Sequence, residues 1–233
     1  MIMIIFLNKC FIIIISVYNK SIIFVILLFK IYYMLSQDIF LYVIITVLVI
    51  VSLKMYSESE HYNLKCIISG VDGEKYCVRE RSKLTLAADL LAKVTDKCKK
   101  LVLYMGEKYP NDENVIRLVK KFNPTVITET LPTSEYTAYS ENKGEKVAFC
   151  LNKKKTKTDG DLIDLNTLTF VAIHELSHVM TLQEGHTLIF WQNFKFLLQN
   201  AVDAGLYNPV NYKENPKEYC SMMITDSPLY NLE

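Results

Sequence analysis

Residues 165–194 read LNTLTFVAIHELSHVMTLQEGHTLIFWQNF, and the rest of the chain is best read outward from them. Leu168, Ala172, Leu176 and Val179 recur at three- and four-residue intervals, the spacing of one buried helical face, and Asp164 or Asn166 stands in front as the capping residue. Inside that helix, His174-Glu175-Leu176-Ser177-His178 sets two imidazoles four residues apart. Residues so spaced lie one above the other, so both rings reach a single ion. Gly185 is expected to end the helix and let the chain turn back, bringing His186 to the same ion. A further helix is expected from Thr187, with Phe190, Phe194, Leu197, Leu198 and Ala201 on one face and Gly205 just past its end.

Three imidazoles and one open position are what a catalytic zinc requires, so Zn2+ is the expected cofactor and His174, His178 and His186 its ligands. Glu175 projects beside them, where a carboxylate can take a proton from a metal-bound water and act as general base. Three of the chain's four histidines fall in this short segment, which favours ligation over a helix that holds the motif by chance. Glu184, Asp203, Glu214 and Glu218 are weaker alternatives for the third ligand. Tyr219, Tyr212 and Tyr207 are available to stabilise an oxyanion, although a tyrosine packed in the core is the commoner case. Met222 and Met223 are candidates for the floor of the site, against the default of core filling.

The other end of the chain has a different composition. Up to Leu53 only Lys9, Lys20, Lys30 and Asp38 are charged, and every glycine and proline lies beyond residue 69. This divides the chain into a hydrophobic membrane-anchor region, 1–56, and a domain over 57–233 large enough to bury one core. The best candidate for a transmembrane helix is 36–55, about 30 Å of helix and enough for a bilayer core. Met1–Val17 and Ser21–Leu35 are weaker spans, and a start of translation at Met34 leaves a single-pass protein. The expected location is a viral or host internal membrane. The net charge of +1 gives no pointer toward nucleic acid. Six cysteines stand without a CxxC pair, and Cys66 and Cys77 are placed to bridge a hairpin.

Leu64 to Arg79 reads as that hairpin, turning through Gly70-Val-Asp-Gly73. Helices are expected from Ser82 to Met105, closed by Pro110, and over Glu113–Phe122, stopped by Pro124. Tyr136–Ser140 and Lys146–Leu151 flank Asn142-Lys143-Gly144, a turn signal for a second hairpin. The run Lys153–Lys157 reads as a solvated loop.

In its strand at Lys146–Leu151, its His174-Glu-Leu-Ser-His178 helix and its Gly185-His186-Thr-Leu-Ile-Phe190 segment, the chain resembles the WLM and SprT/Spartan-like zinc metallopeptidases. The general look is also similar to membrane-anchored members from large DNA viruses. The resemblance implies an α+β, zincin-like fold with a small sheet, in which Lys146–Leu151 forms the cleft edge against which substrate backbone pairs. The function so implied is a membrane-anchored zinc metallopeptidase acting on a protein or peptide substrate. One alternative is an integral-membrane peptidase resembling the CAAX-processing and HtpX-like enzymes, with a glutamate as third ligand. The other is a structural or partner-binding membrane or virion protein built on the same domain without catalysis.

Overall fold

The computed structural model describes residues 37–57, 64–131, 133–155 and 160–230. The chain divides into two compact units, with the boundary after Ser57.

The first unit contributes helix α1, Gln37–Ser57. Eleven of its 21 residues are Ile, Leu or Val, and the Thr46 hydroxyl donates back to the Tyr42 carbonyl at 2.8 Å, which satisfies that polar group within the helix. Among the described residues no helix is long and apolar enough to cross a membrane. The transmembrane helix expected over 36–55 is corrected accordingly, and with it the single-pass membrane location and the bilayer as a partner. Met1–Val17, Ser21–Leu35 and the start at Met34 lie outside the described residues.

The second unit is α+β. Strands β1 (Leu64–Ile68) and β2 (Lys75–Arg79) form the antiparallel hairpin, with Cys66 opposite Cys77 and a disulfide joining them. Helix α2 (Leu84–Lys108) follows, burying Ala88, Leu91, Val94, Leu101 and Met105 on one face. Asp112 caps α3 (Glu113–Lys121) by accepting from the Asn114 and Val115 N–H groups.

Strand β3 (Ile127–Glu129) has only three residues, too few for an alternation that sequence reading detects. It pairs parallel to β2 on one side and to β5 (Lys146–Phe149) on the other. Strand β4 (Ala138–Glu141) pairs antiparallel to β5 and closes the order β1-β2-β3-β5-β4. The expected cleft edge at Lys146–Leu151 is therefore wrong, because β5 has neighbours on both sides and Val147, Ala148 and Phe149 are buried. The edge strands of this sheet are β1 and β4.

Between β2 and β3 the sheet holds a charged cluster. The buried Glu129 accepts from the Arg79 backbone N–H at 2.7 Å and pairs with the Arg81 guanidinium, while Arg79 Nε donates to the Thr130 carbonyl at 2.7 Å. One carboxylate thus serves two buried arginines, an arrangement that tolerates the loss of no member.

Asp164 caps helix α4 (Leu165–Met180), accepting from the Thr167 N–H at 2.9 Å. The helix ends at Thr181 and not at Gly185, so the connection to α5 (Leu188–Asp203) is longer than its glycine suggests. The hydroxyl of Thr187 caps α5. Helix α4 packs against α2, α3 and α5 and is buried along Leu168, Ala172, Ile173, Leu176 and Val179. Burying each such aliphatic side chain contributes roughly 1.5–3 kcal/mol, which ties α4 and the two histidines on it into the core. A last hairpin, β6 (Lys217–Tyr219) and β7 (Met222–Ile224), turns at Cys220 and Ser221, both at positive φ, and a Cys150–Cys220 disulfide fastens it beyond β5.

Candidate metal centre

His174 and His178 leave α4 on the same side, one turn apart, with their Nε2 atoms 3.3 Å from one another. His186 comes from the loop before α5 and brings its Nε2 to 3.0 Å from that of His174. Two imidazole nitrogens about 2.0–2.1 Å from a tetrahedral zinc are separated by about 3.3 Å, so the donor set fits one such ion. Gly185, at φ +77°, makes the turn that delivers His186.

The rings rest on the first turns of α5. Phe190, wholly buried, stacks on His178 with centroids 4.3 Å apart, and meets His174 at 4.9 Å and His186 at 4.7 Å. Phe194 backs His174 at 5.1 Å, and Trp191 lies 5.8 Å from His186 at the open side. Sequence reading placed Phe190 and Phe194 on a core face, and the structure makes that face the wall of the centre.

Burial, helped by the neighbouring His178 and His186, pushes the His174 imidazole down to about 3. Burial, then His186 and Lys143, pushes His178 down to about 4, with Glu184 opposing. Both rings are neutral at ordinary pH, the form that ligates. Burial alone pushes the Glu175 carboxyl up to about 8. A cation beside it would favour the ionised form.

Among the described residues, the group that can hold a metal is His174, His178 and His186. Glu184 is exposed and pairs with Lys143 at 3.2 Å, Asp203 faces Lys108 at 3.4 Å, and Glu214 accepts from Asn211 at 2.8 Å, while Glu218 lies on β6. None of the four joins the cluster. The Tyr219 hydroxyl is buried and donates to the Thr137 carbonyl at 3.1 Å, and Tyr207 and Tyr212 pack against Phe170. Met222 and Met223 are about half exposed and form no floor. Lys143 escaped notice beyond its place in a turn, yet it hydrogen-bonds the loop that carries His186.

No family model matches the chain, and no solved structure does. The uncharacterized protein R325 of Acanthamoeba polyphaga mimivirus is 26% identical over 201 residues, 84% of this chain and 98% of that protein. The uncharacterized protein 136R of Invertebrate iridescent virus 6 is 37% identical over 83 residues, 36% of this chain and 44% of its own length. The uncharacterized protein 042R of Invertebrate iridescent virus 3 is 32% identical over 114 residues, 48% of this chain and 68% of its own. The likeness to the WLM and SprT/Spartan-like zinc metallopeptidases does not stand, since no family model supports it. The zincin-like class, the zinc metallopeptidase activity and the protein or peptide substrate fall with it. What remains is an α+β unit with an open sheet and a three-histidine cluster able to chelate a metal.

Proposed function

We propose that this chain, which belongs to one family with the uncharacterized protein 042R of Invertebrate iridescent virus 3, binds a single zinc ion on His174, His178 and His186, with Glu175 as the neighbouring proton carrier. The observation that carries the reading is the convergence of three Nε2 atoms at 3.0 and 3.3 Å on a wall of buried aromatic rings. When bound on three imidazoles, zinc keeps a fourth position for solvent and brings the pKa of water there toward neutrality.

The chain's own residues are suited to that setting. Phe190 and Phe194 exclude solvent behind the rings, while His186 is exposed and leaves the front open. Glu175 follows His174 on α4 and is buried, and a cation bound beside it would favour its ionised, proton-accepting form. A purely structural zinc calls for four protein ligands, and among the described residues no fourth joins the three.

Metal analysis of the purified full chain tests the reading. One zinc per chain is expected, lost in His174→Ala, His178→Ala and His186→Ala and kept in Glu175→Gln. Undiminished zinc in His186→Ala would refute it.

A further inference from the structure

We infer that Lys143 is the positioning residue of this centre, holding the loop that carries His186 in place against His174 and His178; the inference rests on the three-histidine reading above. Lys143 sits at the tip of the β4–β5 turn. Its Nζ donates to the Gln183 carbonyl at 3.0 Å and the Thr181 carbonyl at 3.3 Å, and lies 3.2 Å from Glu184 Oε1. An ammonium has three N–H donors, and here three acceptors meet them, all within the five residues before His186. The Lys143 side chain is only 17% exposed, while the Glu184 side chain is 89% exposed, so the hold rests on the two carbonyls more than on the ion pair.

The loop needs such a hold. Residues 182–186 are exposed, belong to no helix or strand, and include Gly185 in the left-handed region. Each residue ordered there costs backbone entropy that its own sequence does nothing to offset. The turn, by contrast, is firmly seated. A Cβ on Gly144 would lie 2.9 Å from the Lys121 carbonyl oxygen and 2.9 Å from Val179 Cγ1, so the turn rests directly on the end of α3 and on α4. The Asn123 N–H donates to the Gly144 carbonyl at 3.0 Å and completes the seat. Lys143 therefore starts from a turn seated on the helix that carries two ligands and reaches across to the segment that carries the third. It braces one against the other.

Charge and bracing predict opposite results, which makes the inference testable. A lysine cation near a metal ion repels it, so on charge alone Lys143→Met tightens zinc binding. A brace predicts weaker binding, because His186 must then be ordered by the ion itself. Zinc affinity of the full chain is to be measured by competition with a chromophoric chelator, alongside the thermal midpoint of the metal-free protein. The expected result is affinity about tenfold weaker in Lys143→Met, recovered to within about threefold in Lys143→Arg. The metal-free midpoint of Lys143→Met should stay within about 3 °C of wild type. Unchanged or tighter binding in Lys143→Met overturns the brace, as does a weakening matched by equal loss of metal-free stability. Zinc held alike by wild type and Lys143→Met overturns the brace alone, whereas a wild-type chain that takes up no zinc overturns the centre and the brace together.

Discussion

Phe190 touches all three imidazoles, so replacing it with alanine should damage fold and centre at once. Its ring is wholly buried, and removing a buried phenylalanine costs about 3–5 kcal/mol from lost transfer energy and the cavity left behind. In a unit the size of 58–233, each kcal/mol moves the midpoint by about 2–4 °C, so the metal-free midpoint should fall by about 6–20 °C. The rings also lose the surface that fixes their planes, and loss of support of this kind weakens metal binding by about 10–100-fold. Scanning calorimetry with and without a fixed excess of zinc separates the two effects. The zinc-induced rise in stability grows as RT ln(1 + [Zn]/Kd), so each tenfold loss of affinity shrinks it by about 1.4 kcal/mol. Phe190→Leu, which keeps most of the apolar volume, should recover most of the metal-free stability, at a cost under about 1.5 kcal/mol, without recovering the stacking on His178. Wild-type zinc affinity in Phe190→Ala would refute the claim that this ring organises the centre.

The charged cluster in the sheet gives a second expectation: Glu129→Gln leaves Arg79 and Arg81 without their shared carboxylate and should cost about 3–5 kcal/mol in urea unfolding, with a loss under about 1 kcal/mol counting against the cluster. Gly144→Ala places a Cβ against the Lys121 carbonyl at a φ of +108°, and a loss of about 1–3 kcal/mol is expected, together with weaker zinc binding; an unperturbed variant would show that the turn is not seated as described. A third expectation concerns pH in the metal-free protein. His174 and His178 have lowered pKa values, so the stability they contribute is full above their ordinary value of 6.5 and is lost as the pH falls toward 4 and 3. Glu175 has a raised value, so its contribution is full below its ordinary 4.5 and is lost as the pH rises through about 8. The metal-free chain should be most stable near pH 6.5 and lose about 1 kcal/mol by pH 8, a decline that excess zinc removes and that Glu175→Gln lacks. An equally steep alkaline decline in Glu175→Gln would assign it to another group.

The helices and hairpins were legible because their signals are local. A buried face at three- and four-residue spacing marked α2, α4 and α5, and glycines marked the two hairpin turns. Strands β3, β6 and β7 have three residues each, and a strand that short acquires its identity from its neighbours. Missing β3 had a consequence, because without it β5 looks like an edge and with it β5 lies inside the sheet. The Cys150–Cys220 disulfide joins residues 70 apart, a pairing no spacing rule supplies. The apolar N-terminal segment suggested a span from composition and length, and among the described residues no helix is long and apolar enough to cross a membrane.

The centre divides along the same line. His174 and His178 are a local pair, set four apart by the geometry of one helix, and any sequence that keeps the helix keeps them together. His186 is close to them in sequence, yet the helix stops five residues before it and the intervening loop is exposed. Its position depends on two side chains from elsewhere, Phe190 beneath the ring and Lys143 from a turn some forty residues upstream. A helical pair can hold an ion weakly in many conformations of the loop. Only when the third imidazole is fixed in advance does the ion escape the cost of ordering that loop, so tight binding in this chain is a property of the β4–β5 turn and of α5 as much as of the helix that bears the motif.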